Sequence, residues 1–198
     1  MIVFQNTKDE AALAQILSLQ SQNLASTLSA EEQQREGFVT VQHDLPLLRE
    51  MAEAYGHAVA VDGPRVVGYA LVMLPQFKDK IPVLQPMLER LECLSYREKP
   101  IATYSYFVMG QICVAYDYRG RGLFPGLYQQ LKSSMSSSFE AVITEVAVRN
   151  NRSLRAHKKI GFQSLETRID HPGDPWEIVL WDFGARGDTP SESGLPPG

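Results

Sequence analysis

A glycine-rich turn in the second half of the chain has the residue types of an anion-binding site. The run RGRG at residues 119–122 follows the β-like segment 110–118 and precedes the helix-like segment 123–131. Glycines allow a tight turn and the close approach of a ligand, while free N–H groups and the positive dipole end of a helix favour phosphate oxygens. Arg119 and Arg121 add positive charge beside the turn. The turn therefore predicts a phosphate-bearing ligand.

Three kinds of phosphate-binding loop contain such glycines, and their spacings distinguish them. A Walker A loop requires a Gly-Lys pair, and this chain contains none. A dinucleotide-binding loop of the G-x-G-x-x-G type would need a glycine at Pro125, but the next glycine is Gly126. The third kind has the pattern R/Q-x-x-G-x-G/A, in which Arg119 and Gly122 match and Phe124 replaces the last Gly or Ala.

A second motif lies further along the chain. Residues 150–162 read NNRSLRAHKKIGF, an Asn-led helix that ends in Lys-x-Gly-Phe after a predicted buried strand at 141–148. Together the two motifs resemble those of the GCN5-related N-acetyltransferase (GNAT) superfamily. The order of the predicted elements over residues 2–183 is also similar to that of this family.

The resemblance implies an α/β (α+β) fold with a mixed, mostly antiparallel central sheet of six to seven strands flanked by helices. The fourth and fifth strands are expected to splay apart and to hold acetyl-CoA, the acetyl donor, between them, without a metal ion. Residues 1–183 would form this single acyltransferase domain. The tail at 184–198 is rich in Gly, Pro and Ser, and we expect it to be disordered because it has little apolar surface to bury.

The resemblance also assigns residues to the cofactor. Backbone groups of Ile112, Cys113 and Val114 would bind the pantetheine arm like an added strand. The N–H groups of the turn and of the following helix would bind the pyrophosphate, except at Pro125, which has no N–H to donate. The assigned loop residues are Arg119, Gly120, Arg121, Gly122, Leu123, Phe124 and Pro125.

The Asn-led helix would border the cofactor as well. Asn150 is assigned as a side-chain contact to the cofactor, with Asn151 as the alternative and as the helix cap. Arg155, Lys158 and Lys159 could reach the ribose phosphate, although a basic last turn is also common at any helix C-terminus.

Acetyl transfer from a thioester to an amine needs a base for the amine's proton, a donor to the developing oxyanion and a proton for the leaving thiolate. Glu145 lies among apolar residues of VITEVAV at 142–148, where burial raises the pKa of a carboxyl, and some family members carry a catalytic Glu there. A structural Glu explains the position equally well. The backbone N–H of Val114 is the simplest oxyanion donor. His157 stands where the family usually has a Tyr, so it is either the donor to the thiolate or a packed or solvated histidine.

Cys113 raises the question of a covalent mechanism. A nucleophilic cysteine needs a His or acidic partner, and none is identifiable beside Cys113 in the sequence. Free cysteines are usually small buried hydrophobic residues, so we expect direct attack of the amine instead.

These residues must be positioned by a framework of helices and strands. Capping-box patterns at Thr7/Glu10 and Ser29/Glu32 predict the first two helices, and Asp44 predicts the start of a third. Two β-rich runs joined by residues 62–64 predict a hairpin, and residues 76–100 predict an excursion over the surface that contains a short helix. The apolar stripe of a helix packed on a sheet consists of Leu123, Leu127, Leu131 and Met135.

The composition excludes several classes of protein. The chain has 198 residues and a formal net charge of -4, which argues against a nonspecific nucleic-acid binder. Two cysteines are too few for a disulfide framework or a zinc site and suit the reducing cytoplasm. No secretory signal pattern is present, and the longest apolar run, at residues 66–74, is far shorter than the ~20 residues that span a membrane. We therefore expect a cytoplasmic protein without a nucleic-acid or membrane partner.

The acceptor stays open at this stage. It would be the primary amine of a small molecule or of a peptide N-terminus, recognised by the N-terminal helices and by residues 76–100. The alternative function is a CoA-binding sensor or interaction module without turnover, in which Phe124 and His157 mark a lost active site. A homodimer through the final strands is a further expectation from the family.

Overall fold

The computed structural model describes residues 1–171 and 174–184. These residues form a central sheet with helices packed on it. The strands are β1 (Ile2–Thr7), β2 (His57–Asp62), β3 (Arg65–Met73), β4 (Ser95–Tyr96), β5 (Lys99–Pro100), β6 (Tyr106–Val114), β7 (Ala141–Ala147), β8 (Gln163–His171) and β9 (Asp174–Asp182). The helices are α1 (Glu10–Ser21), α2 (Ala30–Glu36), α3 (Leu45–Ala52), α4 (Gln85–Leu91), α5 (Leu123–Met135) and α6 (Asn151–Ile160). The predicted tail at 184–198 lies outside the described residues except for Gly184.

Seven strands form one sheet in the order β1-β2-β3-β6-β7-β9-β8. Neighbouring strands are antiparallel throughout, except that β6 and β7 run parallel. The predicted mixed, mostly antiparallel sheet flanked by helices is therefore confirmed. The remaining strands, β4 and β5, pair with each other as a separate small hairpin.

The strands β6 and β7 separate along their length. They pair only at residues 106–108 of β6 and 141–143 of β7. Further along, β6 stays with β3 as far as Val114, while β7 stays with β9 as far as Ala147. The sheet thus opens between its fourth and fifth strands, as the resemblance implied.

Helices cover both faces of the sheet. On β3, a Cβ at Gly68 would lie 3.3 Å from Leu127 of α5, so this side of the strand faces α5. The hydroxyl of the next residue, Tyr69, donates to Gln111, which also accepts from Gln20 of α1. Because successive strand residues point to opposite faces, α5 and α1 lie on opposite sides of the sheet. The predicted stripe of α5, including Leu127 and Leu131, is buried.

The structure corrects two predictions about where helices begin. The cap of α1 is Asp9, whose carboxylate accepts from the Ala12 N–H, whereas Thr7 ends β1 and accepts from the Asp9 N–H. The cap of α6 is Asn150 and not Asn151. The capping box of α2 and the Asp44 cap of α3 are confirmed.

The segment between β3 and β6 is packed more deeply than a surface excursion. Met87 and Leu91 of α4 are buried and join the main core, as does Ile101. On the outside, Arg90 binds Glu166 of β8 through two hydrogen bonds of 2.6 Å. Within the described ranges, no helix is long and apolar enough to cross a membrane.

Candidate active site

A cavity of about 630 Å³ lies where β6 leaves β7, between the glycine turn and α6. Most of the residues that were assigned to the cofactor from the sequence line this cavity. These are Ile112, Cys113, Val114, Arg119, Gly120, Gly122, Leu123, Phe124, Pro125 and Asn150. The structure therefore brings the end of β6, the turn and the start of α6 together around one space.

Two assigned residues, Arg121 and Asn151, are not part of this lining, and their cofactor contacts remain predictions. Arg121 is exposed and stacks its guanidinium over the Tyr118 ring at 5.2 Å. Asn151 is exposed as the first residue of α6. Asn150 lines the cavity, but its side chain accepts from the Ser153 N–H and donates to the Phe38 carbonyl. Its amide therefore joins two walls of the cavity.

The glycine turn requires glycine for its backbone. Gly120 and Gly122 have φ angles of +73° and +80°, in the left-handed region that costs other residues about 1–2 kcal/mol. A Cβ at either position would meet no described atom within 4 Å, so nothing but the backbone angle demands glycine. Gly122 caps α5 without a side-chain hydrogen bond, which leaves the first amides of this helix to a ligand. Such a turn fits a pyrophosphate.

The last residues of β6 direct backbone groups into the opening. The Ala115 N–H donates to the Val67 carbonyl at 2.9 Å, which fixes the edge of β6 that faces β3. Hydrogen bonding alternates along an antiparallel pair, so Ile112 and Val114 turn their N–H groups away from β3. These amides are available to an extended ligand arm between β6 and β7.

The environment of Cys113 disfavours the thiolate that a cysteine nucleophile needs. Burial raises the pKa of this thiol to about 12, because an apolar site disfavours the thiolate. This agrees with the expectation of direct attack.

One face of α6 supplies positive charge to the cavity. Arg152, Arg155 and Lys159 all belong to its lining. The spacing of three and four residues places them on the same side of the helix. Arg155 and Lys159 are two of the three residues that the sequence placed near the ribose phosphate, and the third, Lys158, is not part of the lining.

Arg119, which was predicted to bind the cofactor, lines the cavity and also contacts three other residues of the protein. Its Nε donates to the Val114 carbonyl at 3.1 Å, and Nη2 donates to Oδ1 of Asn23 at 2.6 Å. The remaining nitrogen, Nη1, lies 2.8 Å from Oε2 of Glu36. The guanidinium thus links the glycine turn to Asn23 and Glu36 in the N-terminal part of the chain, and its charge is paired with that of Glu36.

Residues from the N-terminal part of the chain form a wall of the cavity, and none of them was predicted to belong to the site. The wall consists of Asn23, Glu36, Gly37, Phe38 and Val39. Burial opposes ionisation of Glu36, but hydrogen bonds from Arg119 and Arg35 and the charge of Arg152 outweigh it, so the pKa of Glu36 lies below its usual range. Gly37, which follows the last residue of α2, has a φ of +75°, a positive value that glycine adopts more readily than other residues.

A smaller cavity of about 70 Å³ adjoins the first and shares Ile112, Asn150 and Ser153 with it. It lies between the diverging strands, and its lining includes Gln111 of β6 and Glu145 of β7, together with His157. The two side chains predicted to move protons therefore meet at one place.

Glu145 is not surrounded by apolar groups. Its Oε2 lies 3.0 Å from Nε of Arg168, and Nη2 of the same arginine donates to Oε1 at 3.3 Å. Only 5% of the Glu145 side chain and 9% of the Arg168 side chain are exposed. The prediction of apolar neighbours was wrong because β8 brings Arg168 across β9 to the carboxylate.

The side chain of His157 is buried, and both of its ring nitrogens have hydrogen-bond partners. Only 1% of the residue is exposed, and Nδ1 lies 2.8 Å from the Ser153 carbonyl, which can only accept, so Nδ1 carries the proton. Nε2 then accepts from the Tyr128 hydroxyl at 2.7 Å. Burial lowers the pKa of His157 to about 4. Of the two alternatives for His157, these contacts fit the packed histidine, and donation to a thiolate remains a prediction.

No group of three or more His, Cys, Asp or Glu side chains is placed to hold a metal ion in the described part of the chain. Backbone groups of the glycine turn, basic side chains and a buried carboxylate line the two cavities.

Comparison with protein families gives a match over most of the chain. Residues 22–162 match the family described as the Acetyltransferase (GNAT) family. No curated protein sequence matches the chain.

Solved structures share the fold at low sequence identity. The ribosomal-protein-S18-alanine N-acetyltransferase from Escherichia coli superposes with a TM-score of 0.62 at 12% identity, over 96% of this chain and 98% of that one. The yncA protein of Salmonella typhimurium with acetyl-CoA gives 0.58 at 13%, over 94% and 96%. Arabidopsis thaliana Naa50 with the bisubstrate analogue CoA-Ac-MVNAL gives 0.58 at 16%, over 91% and 98%.

Proposed function

The chain belongs to the acetyltransferase (GNAT) family, and we propose that it transfers an acetyl group from acetyl-CoA to a primary amine by direct attack in a ternary complex. One observation carries the proposal: the glycine turn, the amides of β6 and the basic face of α6 line a single cavity of about 630 Å³. Acetyl-CoA supplies the activated acetyl group. The activity is assigned to residues 1–183, and no metal ion is assigned.

The cofactor is proposed to lie along β6. Its pyrophosphate would accept from the first amides of α5 at Leu123 and Phe124, with Arg155 and Lys159 nearby. Its pantetheine arm would follow Ile112 and Val114, whose N–H groups face the opening. The thioester would then reach the smaller cavity that adjoins the first.

Two protein groups are assigned to the reaction. The Val114 N–H would donate to the carbonyl oxygen of the thioester as negative charge develops there. Glu145, the carboxylate in the smaller cavity, would accept the proton of the attacking amine directly or through a water molecule. As the C–S bond breaks, CoA would leave as the thiolate and take up a proton from water. Arg168 would hold this carboxylate in place.

The acceptor is proposed to be the primary amine of a small molecule or of a peptide N-terminus. Among the structural neighbours, one is an S18-alanine N-acetyltransferase and another binds an analogue that joins CoA to a peptide. The likeness to these proteins supports the class of reaction, while the amine itself needs a direct assay.

Calorimetric titration with acetyl-CoA and CoA tests the cofactor site. We expect binding by the wild-type protein and its loss in Gly122→Asp, because this substitution adds a negative charge and a side chain at a left-handed position in the turn. Gly63→Asp is the matched control, since Gly63 has a φ of +55° in the turn between β2 and β3 and does not line the cavity. Absence of binding by folded wild-type protein would contradict the proposal.

Release of free thiol from acetyl-CoA, measured with a panel of amines and peptides, tests turnover. We expect thiol release with at least one acceptor and about a 100-fold lower kcat in Glu145→Gln, the typical effect of losing a general base. The bonded state of His157 favours the alternative, a CoA-binding module without turnover. Binding of acetyl-CoA without thiol release from any acceptor would establish that alternative.

A further inference from the structure

A short N-terminal segment covers the phosphate end of the larger cavity. Residues 33–38, which we call the strap, end α2 and continue past Gly37. Arg149 donates to Gln33 at 2.6 Å, and Asn150 donates to the Phe38 carbonyl at 3.2 Å. A Cβ at Gly37 would lie 3.0 Å from Oδ1 of Asn150. The strap is therefore docked closely on the first turn of α6.

Glu36 places a carboxylate at the centre of this contact. Its Oε2 accepts from Arg119 and from Arg152, both at 2.8 Å, and its Oε1 accepts from Arg35 at 3.0 Å. Glu36 also lines the same cavity as Gly120 and Gly122 of the glycine turn. An acidic group thus stands in the space proposed for the most negatively charged part of the cofactor.

We propose that Glu36 is a positioning residue that acts as a resident counter-ion. Its carboxylate holds Arg119 and Arg152 in place and competes with the phosphates of CoA for Arg152. The inference rests on the proposed function, because it takes CoA as the ligand of this cavity.

Of the two arginines bound to Oε2 of Glu36, Arg152 is the one that can turn from Glu36 to a phosphate. Its side chain is 40% exposed, whereas that of Arg119 is 15% exposed and also binds Val114 and Asn23. Arg152 makes its other bond to the Arg35 carbonyl of the strap at 3.0 Å. Rotation of Arg152 toward a phosphate would therefore release two contacts to the strap, while Arg119 keeps Glu36 in place.

The test is calorimetric titration of CoA and dephospho-CoA, which lacks the 3′-phosphate, into wild-type protein and Glu36→Gln. We expect Glu36→Gln to bind CoA about five- to tenfold more tightly, because one negative charge near the phosphates is removed. The gain is smaller for dephospho-CoA and shrinks as salt is raised to about 0.5 M. Glu31→Gln removes the same charge from α2 at a side chain that is 87% exposed, and it leaves both affinities unchanged.

The failure of this inference is separable from failure of the proposed function. No binding of CoA to wild-type protein would remove the proposed function itself. Binding by wild-type protein together with equal or weaker binding by Glu36→Gln, or an equal change for the two ligands at all salt concentrations, would overturn the counter-ion role.

Trypsin cleavage after Arg35 in the wild-type protein gives a second readout should Glu36→Gln not fold. Because CoA draws Arg152 away from the strap, we expect CoA to accelerate this cleavage, and dephospho-CoA to do so less. Slower or unchanged cleavage in saturating CoA would overturn the inference.

Discussion

The two ends of the cleft between β6 and β7 are built in different ways. The phosphate end uses backbone amides at a glycine turn and basic side chains such as Arg152, which remains 40% exposed. The reaction end holds Glu145 and His157 almost without exposure, each bonded to another part of the protein. The first end offers charged side chains and backbone donors to a ligand, whereas the second is an internal network of bonded side chains. Substitutions at the reaction end should therefore cost stability before they reveal any effect on chemistry.

The largest expected effect comes from breaking the Glu145–Arg168 ion pair. Arg168→Met leaves the buried carboxylate without its guanidinium, and we expect a loss of about 3–5 kcal/mol in the free energy of unfolding. Urea unfolding monitored by circular dichroism measures this loss. The double variant Glu145→Gln/Arg168→Met should recover part of it, because the uncompensated charge is then gone.

An exposed ion pair provides the control for that prediction. Lys99 and Glu140 lie 3.1 Å apart with more than 40% of each side chain exposed. Lys99→Met should therefore cost less than about 1 kcal/mol. Equal losses in Arg168→Met and Lys99→Met would show that the reaction end is not the more tightly bonded of the two regions.

The buried state of His157 predicts a pH-dependent stability. Its folded pKa is about 4, below the ordinary 6.5, so between these values the unfolded chain takes up a proton that the folded protein does not. Stability is then complete above pH 6.5 and is lost as the pH falls toward 4. His157 should contribute up to about 1.4 kcal/mol per pH unit within this window. Urea unfolding between pH 5 and 6.5 should show a correspondingly smaller slope in His157→Gln.

Two other histidines provide the comparison for that slope. Burial also lowers the pKa values of His43 and His57 to about 4, so the wild-type slope includes their contributions. A His157→Gln slope identical to that of the wild-type protein would mean that His157 is accessible to solvent protons in the folded state.

A substitution in the glycine turn should lower the free energy of unfolding less than the loss of the buried ion pair does. Gly122→Ala adds a Cβ that meets no described atom, so its cost is the left-handed φ of +80°, about 1 kcal/mol. Because the amides that follow Gly122 shift with the strained turn, binding of acetyl-CoA should weaken about tenfold. Calorimetry and urea unfolding on the same samples separate the two effects. A weakened affinity is not expected in Gly63→Ala, because Gly63 also has a positive φ but does not line the cavity.

The phosphate end could be predicted from the sequence because its signals are local. Glycines at a turn, a helix start and a basic helix face occupy short stretches, and the structure brings them together as expected. The first residue of α6 could not be predicted in the same way. Either of the adjacent residues Asn150 and Asn151 could cap the helix, and only the backbone conformation decides between them.

The reaction end depends on contacts that short patterns do not encode. Arg168 reaches Glu145 only because of how β8 and β9 pair, with an irregular register between Ser164 and Glu166. Tyr128 meets His157 through the packing of α5 against α6. The strap is placed by bonds between residues more than a hundred positions apart. Residue type therefore identified the candidates, while their protonation and partners followed from tertiary structure.

The smallest effect should distinguish the basic residues on either side of the turn. Lys159→Gln removes a charge from the cavity lining and should weaken CoA binding about threefold, a change that diminishes with added salt. Arg121→Gln removes the same charge from an exposed side chain stacked on Tyr118 and should change the affinity less than Lys159→Gln does. Calorimetric titration at low and high salt compares the two variants directly. A larger loss in Arg121→Gln would place the phosphates outside the cavity, on the far side of the turn.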